Sequence, residues 1–120
     1  MIGYVTLGTN DREKSSKFYD ALCGEFGVGR MMENEQFIAW GKPGGGAGIG
    51  ITRPFDGNAA TVGNGVMVAL EAKDEAQVQR LYNLALANGG SDEGAPGDRG
   101  GGFYAGYFRD PTGISSTPSS

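Results

Sequence analysis

Apolar and polar positions alternate with a period of two from Ile2 to Gly8. Val5 and Leu7 point one way and Tyr4 and Thr6 the other, which predicts a strand. The period then lengthens. Phe18 and Leu22 recur at i, i+4 with Tyr19 beside them, and Asn10 precedes this stripe as N-cap, with Glu13 three residues on as in a capping box. The pattern predicts a helix over Asp11–Cys23, ended by Gly24 and Gly27. Short strands are expected at Met31–Glu33, Phe37–Trp40 and Ala47–Thr52, separated by the turns Asn34-Glu35 and Pro43–Gly46. Residues 54–64 have no periodicity and carry Pro54, Gly57 and Gly63, so they read as a linker. Beyond it come a strand over Val66–Ala72 and a helix over Asp74–Asn88, with Val78, Leu81, Tyr82 and Ala85 on one face and Gly89-Gly90 as terminator. Ser91–Gly102 reads mostly as loop, Phe103–Phe108 as a strand and Asp110–Gly113 as a turn. The tail Ile114–Ser120 shows little apolar alternation and contains Pro118. It makes a poor central strand and reads as a short edge, a disordered end or a recombination scar.

The two halves repeat. A shift of 63 positions carries Val5 onto Val68, Leu7 onto Leu70, Asp11 onto Asp74, Phe18 onto Leu81, Tyr19 onto Tyr82 and Gly27 onto Gly90. These matches fall at equivalent strand, cap and helix-face positions. The expected architecture is α+β: one domain over 1–120, built from two strand–helix–strand–strand–strand modules at about 1–53 and 65–120. Each module alone has one amphipathic helix over one small sheet. Paired, the sheets curve into a mixed sheet around a central cleft, with the helices on the outer face. Val5, Leu7, Val68 and Leu70 then pack under the helices, while Tyr4, Thr6, Met67 and Ala69 line the concave side.

Composition removes several function classes. Net charge is −4 and the ten Lys and Arg are scattered, so no basic stripe exists for nucleic acid. No apolar run approaches the roughly 18 residues of a membrane span, and the first residues carry no basic leader region. Cys23 is alone, so no internal disulfide forms, and the chain is expected in the cytoplasm. With no His anywhere to activate it, Cys23 reads as an inert thiol near a helix end rather than a nucleophile. Gly44–Gly50 contains fragments of a nucleotide-binding glycine loop. It lacks the Lys-Ser/Thr ending and leads into a strand, so it reads as a tight turn. Gly94–Gly102 reads as a surface loop, with a mobile flap as the alternative.

The opening Ile2-Gly3-Tyr4-Val5-Thr6-Leu7, the helix signature Ser15-Ser16-Lys17-Phe18-Tyr19 and the closing Tyr107-Phe108-Arg109-Asp110-Pro111-Thr112-Gly113 together resemble the vicinal-oxygen-chelate family, the glyoxalase/bleomycin-resistance/dioxygenase superfamily. The resemblance covers about residues 2–113 and implies paired βαβββ modules, a dimer in many members, and a site in the cleft. It also implies a divalent metal held by His, Gln or Glu from the first and last strands of both modules. Such donors suit Zn, Fe, Ni or Mn and leave open positions for a chelating substrate. Here the first strands offer Tyr4 and Met67, Ala47–Thr52 contains only Ala, Gly, Ile and Thr, and the last position falls near Thr117. No metal and no other cofactor is therefore expected. The expected function is a metal-free small-molecule-binding protein, a homodimer whose cleft takes an apolar or aromatic ligand. Its ligand-binding residues are Tyr4, Thr6, Phe37, Met67, Phe103 and Tyr107, with Trp40 and Phe108 in the core. The alternative is an enzyme of glyoxalase, isomerase or dioxygenase type, for which the sequence identifies no catalytic residue.

Overall fold

The computed structural model describes all residues 1–120. Its first module consists of β1 (Tyr4–Gly8), α1 (Arg12–Glu25), β2 (Arg30–Glu33), β3 (Phe37–Trp40) and β4 (Gly48–Thr52). Its second consists of β5 (Met67–Glu71), α2 (Glu75–Ala87), β6 (Ser91–Asp98), β7 (Tyr104–Arg109) and β8 (Ser115–Ser119). The strands form two four-stranded mixed sheets, ordered β1-β4-β3-β2 and β5-β8-β7-β6. This is the α+β pair of βαβββ modules that the repeat implies. In each sheet the first strand runs parallel to the last, Tyr4 beside Gly48 and Met67 beside Ser115. Met67 follows Tyr4 by 63 positions and Ser115 follows Gly48 by 67, so module two carries four more residues between its first and last strands. The two sheets share no hydrogen-bonded ladder, and β1 and β5 are each an outer edge.

The helices form where the apolar stripes predict them, with one correction at a cap. The N-cap of α1 is Asp11, not Asn10: its backbone is extended and its carboxylate accepts from Lys14 N at 3.1 Å. A carboxylate also complements the positive end of the helix dipole. Asn10 binds the linker instead, donating to Ala60 O at 3.0 Å and accepting from Ala60 N at 2.7 Å. At its other end α1 continues through Gly24 to Glu25, and the left-handed turn comes at Gly27, φ 70°. For α2 the caps are Asp74 and Asn88, as expected.

Two expectations for the second module are overturned. Ser91–Asp98 is the strand β6 rather than loop. It is an edge with register shifts around Gly94, where glycine and Pro96 are tolerated because one side needs no partner. The tail is not an edge or a disordered end. It forms β8, the central strand between β5 and β7, and Ser116, Thr117 and Pro118 are buried. The pairs Ala105–Ser119 and Phe108–Ser116 set Pro118 opposite Gly106, so the proline leaves one carbonyl of β7 without its ladder donor. The Thr117 hydroxyl fills that gap, donating to Gly106 O at 2.9 Å in a buried hydrogen bond.

One apolar cluster spans both modules. Leu7, Ile38, Trp40 and Ile51 enter it from the first sheet, Phe18, Tyr19 and Leu22 from α1, Val78, Leu81 and Ala85 from α2, and Phe108 and Ile114 from the far side. Phe18 meets Phe108 edge-on with ring centroids 5.9 Å apart. The buried Trp40 indole donates to Asp20 at 2.8 Å. The Tyr19 hydroxyl donates to Asp110 at 2.6 Å across the module boundary. Glu25 near the end of α1 accepts from Gln77 and Arg80 of α2 at 3.2 and 3.1 Å. The modules are thus joined through their helical sides and not through their strand edges.

Thr117→Val should lower stability by about 1–3 kcal/mol, because it leaves the buried Gly106 carbonyl unpaired. In a Pro118→Ala background the same change should cost much less, since the restored N–H can reach that carbonyl. Urea unfolding of the four proteins in this cycle measures both, and an equal cost in the two backgrounds contradicts the assignment.

Candidate functional site

Each sheet turns one face to the helices and leaves the other open. On the first sheet Tyr4 and Thr6 alternate away from Val5 and Leu7, and both are exposed. The strand pairs set Thr6 beside Gly50, Gly50 beside Ala39, and Phe37 beside Thr52, so Phe37 joins the same face. Gly50 has a steric reason to lack a side chain: an added Cβ would stand 2.6 Å from the Phe37 ring. Phe37 therefore lies flat on the sheet floor, and Tyr4 meets it edge-on at 6.5 Å. The structure thus gathers Tyr4, Thr6 and Phe37 on one face, while Trp40 is buried opposite, as the alternation predicts.

On the second sheet Phe108 is buried against Phe18, and Tyr104 turns toward α2, where its hydroxyl accepts from Gln79 at 2.9 Å. Tyr107 takes the other face, the one carrying Met67, Ala69 and Thr117. Arg99 lies over the Tyr107 ring, 5.4 Å from its centroid. Phe103 is exposed in the turn that leads into β7. Met67 is half exposed on the edge strand.

Within one chain these two groups do not meet in one cavity. Between the β1 and β5 edges lies an apolar recess of about 750 Å³, lined by Val5, Leu22, Phe26, Ile49, Met67 and Leu70 among others. Its lining includes Tyr19, Leu22 and Cys23 of α1 as well as residues of both edge strands. Of the six expected ligand-binding residues only Met67 reaches it. A second cavity, of about 770 Å³, was not anticipated. It lies where β1 and β4 end, is lined mostly by polar residues, and includes Arg12 and Arg53. Arg53 stands at the boundary between module one and the linker, so the sequence signal was a lone cation directly after a strand.

The positions facing the open sides do not fit a divalent transition metal. They are Tyr4 and Gly50 on the first sheet and Met67 and Thr117 on the second, and the Thr117 hydroxyl is already committed to Gly106. No three His, Cys, Asp or Glu side chains converge anywhere in the chain. Thioether, hydroxyl and bare backbone make a weak donor set for Zn, Fe, Ni or Mn.

The sequence pattern of the Glyoxalase/Bleomycin resistance protein/Dioxygenase superfamily matches residues 1–115. Among solved structures, the chain is similar to a glyoxalase/bleomycin resistance protein from Albidiferax ferrireducens T118, with 37% identity, a TM-score of 0.89, and 99% of this chain and 97% of that one covered. It is similar in fold to a glyoxalase-related enzyme from Fulvimarina pelagi, at 22% identity and a TM-score of 0.79, covering 99% of this chain and 86% of that one. A lactoylglutathione lyase from Agrobacterium tumefaciens shares the fold at 20% identity and a TM-score of 0.70, covering 99% and 92%. No curated protein sequence matches the chain. No helix is long and apolar enough to cross a membrane.

Two ionisable groups border the apolar recess from α1. Burial, with the Asp20 charge adding to it, pushes the Cys23 thiol up from 9.0 to about 12. Burial also raises Tyr19 well above its ordinary value, and the Asp110 carboxylate adds to this. Both stay neutral at physiological pH, so Tyr19 is a fixed donor and Cys23 is not a nucleophile. Because both folded values lie above the unfolded ones, their contribution is complete below about pH 9 and is lost as pH rises toward 12. Denaturant unfolding against pH should show stability falling over that window, with a shallower fall in Cys23→Ala. A thiol reagent should leave native Cys23 unmodified at mildly alkaline pH and label it on unfolding. Rapid labelling of the native protein contradicts this.

Proposed function

The chain belongs to the Glyoxalase/Bleomycin resistance protein/Dioxygenase superfamily, and on that footing we propose that it is a metal-free small-molecule-binding protein, a homodimer whose clefts are lined by aromatic side chains. The observation that carries the reading is the set of side chains on the open faces. Tyr4, Gly50, Met67 and Thr117 stand on the first and last strands of the two modules and offer neither imidazole nor carboxylate. Around them stand Phe37, Phe103 and Tyr107, which supply flat apolar surface, and two phenol hydroxyls able to orient a ligand.

The cleft is completed by a second chain. β1 and β5 are edges open on one side that expose Tyr4 and Met67, with Ile2 and Val66 exposed just before them, and an open apolar edge is a site for strand pairing. With β1 of one chain beside β5 of its partner, the open face carrying Tyr4, Thr6 and Phe37 continues into the one carrying Met67, Phe103 and Tyr107. Two-fold symmetry then gives two such clefts and leaves neither edge free. The ligand is apolar or planar, held by ring stacking and the Met67 thioether, with hydrogen bonds from Tyr4 and Tyr107. A lone buried thiol and the absence of disulfides suit a reducing compartment, and we place the protein in the cytoplasm.

Sedimentation equilibrium at micromolar concentration should give the mass of a dimer, and a monomer throughout contradicts the shared cleft. Elemental analysis after extensive dialysis should find no stoichiometric Zn, Ni, Mn or Fe; retention of any of them contradicts the metal-free reading.

A thermal-shift screen of aromatic metabolites should identify a ligand, since a compound that binds the folded state raises Tm. For that ligand Tyr4→Ala and Tyr107→Ala should each weaken binding by about 1 kcal/mol or more, with little change in urea midpoint. Loss of stability of about 3–5 kcal/mol in both, the signature of a buried aromatic cut to alanine, contradicts a binding role.

A further inference from the structure

We propose that the polar cavity at the carboxyl ends of β1 and β4 binds a small organic anion, a carboxylate or phosphate bearing an apolar group, between Arg12 and Arg53. This site is formed within a single chain. It does not depend on the dimeric cleft and stands or falls separately from it.

The cavity measures about 770 Å³, enough for a compound of several rings. Its lining includes two guanidinium groups and no carboxylate, in a chain whose net charge is −4. Glu33 offsets the Arg12 charge, so the unpaired Arg53 supplies the local positive charge that attracts anions. The two arginines are differently held. Arg12 is anchored: one Nη donates to Asn34 O at 2.7 Å and lies 3.5 Å from Glu33, while its Nε is buried with no acceptor. Arg53 is free: its side chain makes no hydrogen bond and takes part in none of the ion pairs of the chain, which join Arg12, Arg30, Arg80 and Arg109 to carboxylates. Its backbone is fixed, with N donating to Gln36 O at 3.0 Å and O accepting from the Gln36 amide at 2.6 Å. Arg53, an unpaired cation on a fixed backbone, thus lines the same cavity as the anchored Arg12, and guanidinium groups take carboxylate and phosphate oxygens through paired N–H donors.

Phe55 supplies the apolar half of the recognition. It lines the cavity two residues after Arg53 and is fully exposed, at 105% of its reference area, with no packing role in this chain. A ring left in water next to two cations has surface to gain from an aromatic or aliphatic group on the ligand. Asn58 lines the same wall, and its amide is a further donor for the anion. Asn10 pins residue 60 to the start of α1 through both ends of its amide, so the loop carrying Phe55 and Asn58 is tied at its far end.

The probes are benzoate and phenyl phosphate, with neutral benzamide as the uncharged counterpart, titrated into the full chain and followed by amide chemical shifts. Benzoate or phenyl phosphate at millimolar concentration should give saturable shifts centred on residues 52–59, weakening as salt rises, and benzamide should give none. Arg53→Gln should reduce the affinity at least tenfold without altering the melting temperature, because that side chain holds nothing in the fold. Phe55→Ala should reduce it severalfold for both phenyl anions. Arg12→Gln should also weaken binding; since Arg12 anchors Asn34, its melting curve is recorded alongside, and the decision rests on Arg53→Gln. Lys17→Gln, which removes an exposed α1 cation outside the cavity, should leave this binding unchanged. The proposal is overturned if neither anion gives saturable shifts, if benzamide binds equally well, or if Arg53→Gln binds as the natural chain does.

Discussion

The hydrogen bond from Tyr19 to Asp110 sets how the two modules sit. Asp110 is 4% exposed and has no cationic partner, so its carboxylate is held entirely by donors. One oxygen accepts from the Tyr19 hydroxyl at 2.6 Å, and the other from the backbone N–H groups of Thr112, Gly113 and Ile114 at 2.9–3.0 Å. A buried carboxylate left with fewer donors carries a large desolvation cost, so this arrangement tolerates little displacement. Tyr19 lies on α1 of module one and Asp110 in the turn before β8 of module two. The bond therefore locks the helix of one module to the sheet of the other. It also brings Phe18 onto Phe108 and lets a single apolar cluster run through both halves.

The separation of the strand edges follows from that lock. Leu22 and Cys23 of α1, with Phe26 after it, line the recess between β1 and β5, and neither edge pairs with the other. The open faces of the two sheets consequently do not combine within a chain. They carry aromatic and hydroxyl groups, and Gly50 serves as the floor beneath Phe37. Superfamily membership supplies the fold, whereas these side chains bear on the function, and they suit contact with a flat ligand better than coordination chemistry. The ends of β1 and β4 provide a chemically different surface, polar and cationic, which the fold places away from the aromatic faces.

Much of this was legible in the sequence, and the exceptions have physical causes. The stripes Phe18–Tyr19–Leu22 and Val78–Leu81–Ala85 announced the helices because each keeps the i, i+3, i+4 spacing of one helix face. Alternation assigned Tyr4, Phe37 and Tyr107 to open faces and Trp40 and Phe108 to the core, with the parity of the last strand taken from the family resemblance, which implies an aromatic under the helix just before the Arg109-Asp110-Pro111 turn. β8 was not legible: Ser-Ser-Thr-Pro-Ser has no strand signal of its own, and its central place is imposed by β5 and β7, with Thr117 supplying the hydrogen bond that Pro118 lacks. β6 was hidden by its glycines, which an edge strand accommodates. The placement of the modules was hidden because it rests on Tyr19 and Asp110, 91 positions apart, and each residue has an ordinary local role. Arg12 and Arg53 come together only because the chain returns past the start of α1.

The central claim is that β1 and β5 meet between chains and not within one. Cross-linking measures this directly. In a Cys23→Ala background, chains carrying Tyr4→Cys alone are mixed with chains carrying Met67→Cys alone, and a short bis-maleimide is added. The account predicts a covalent dimer containing one chain of each kind. The contradicting result is no cross-link in the mixture, together with an internal cross-link in a monomer that carries both substitutions.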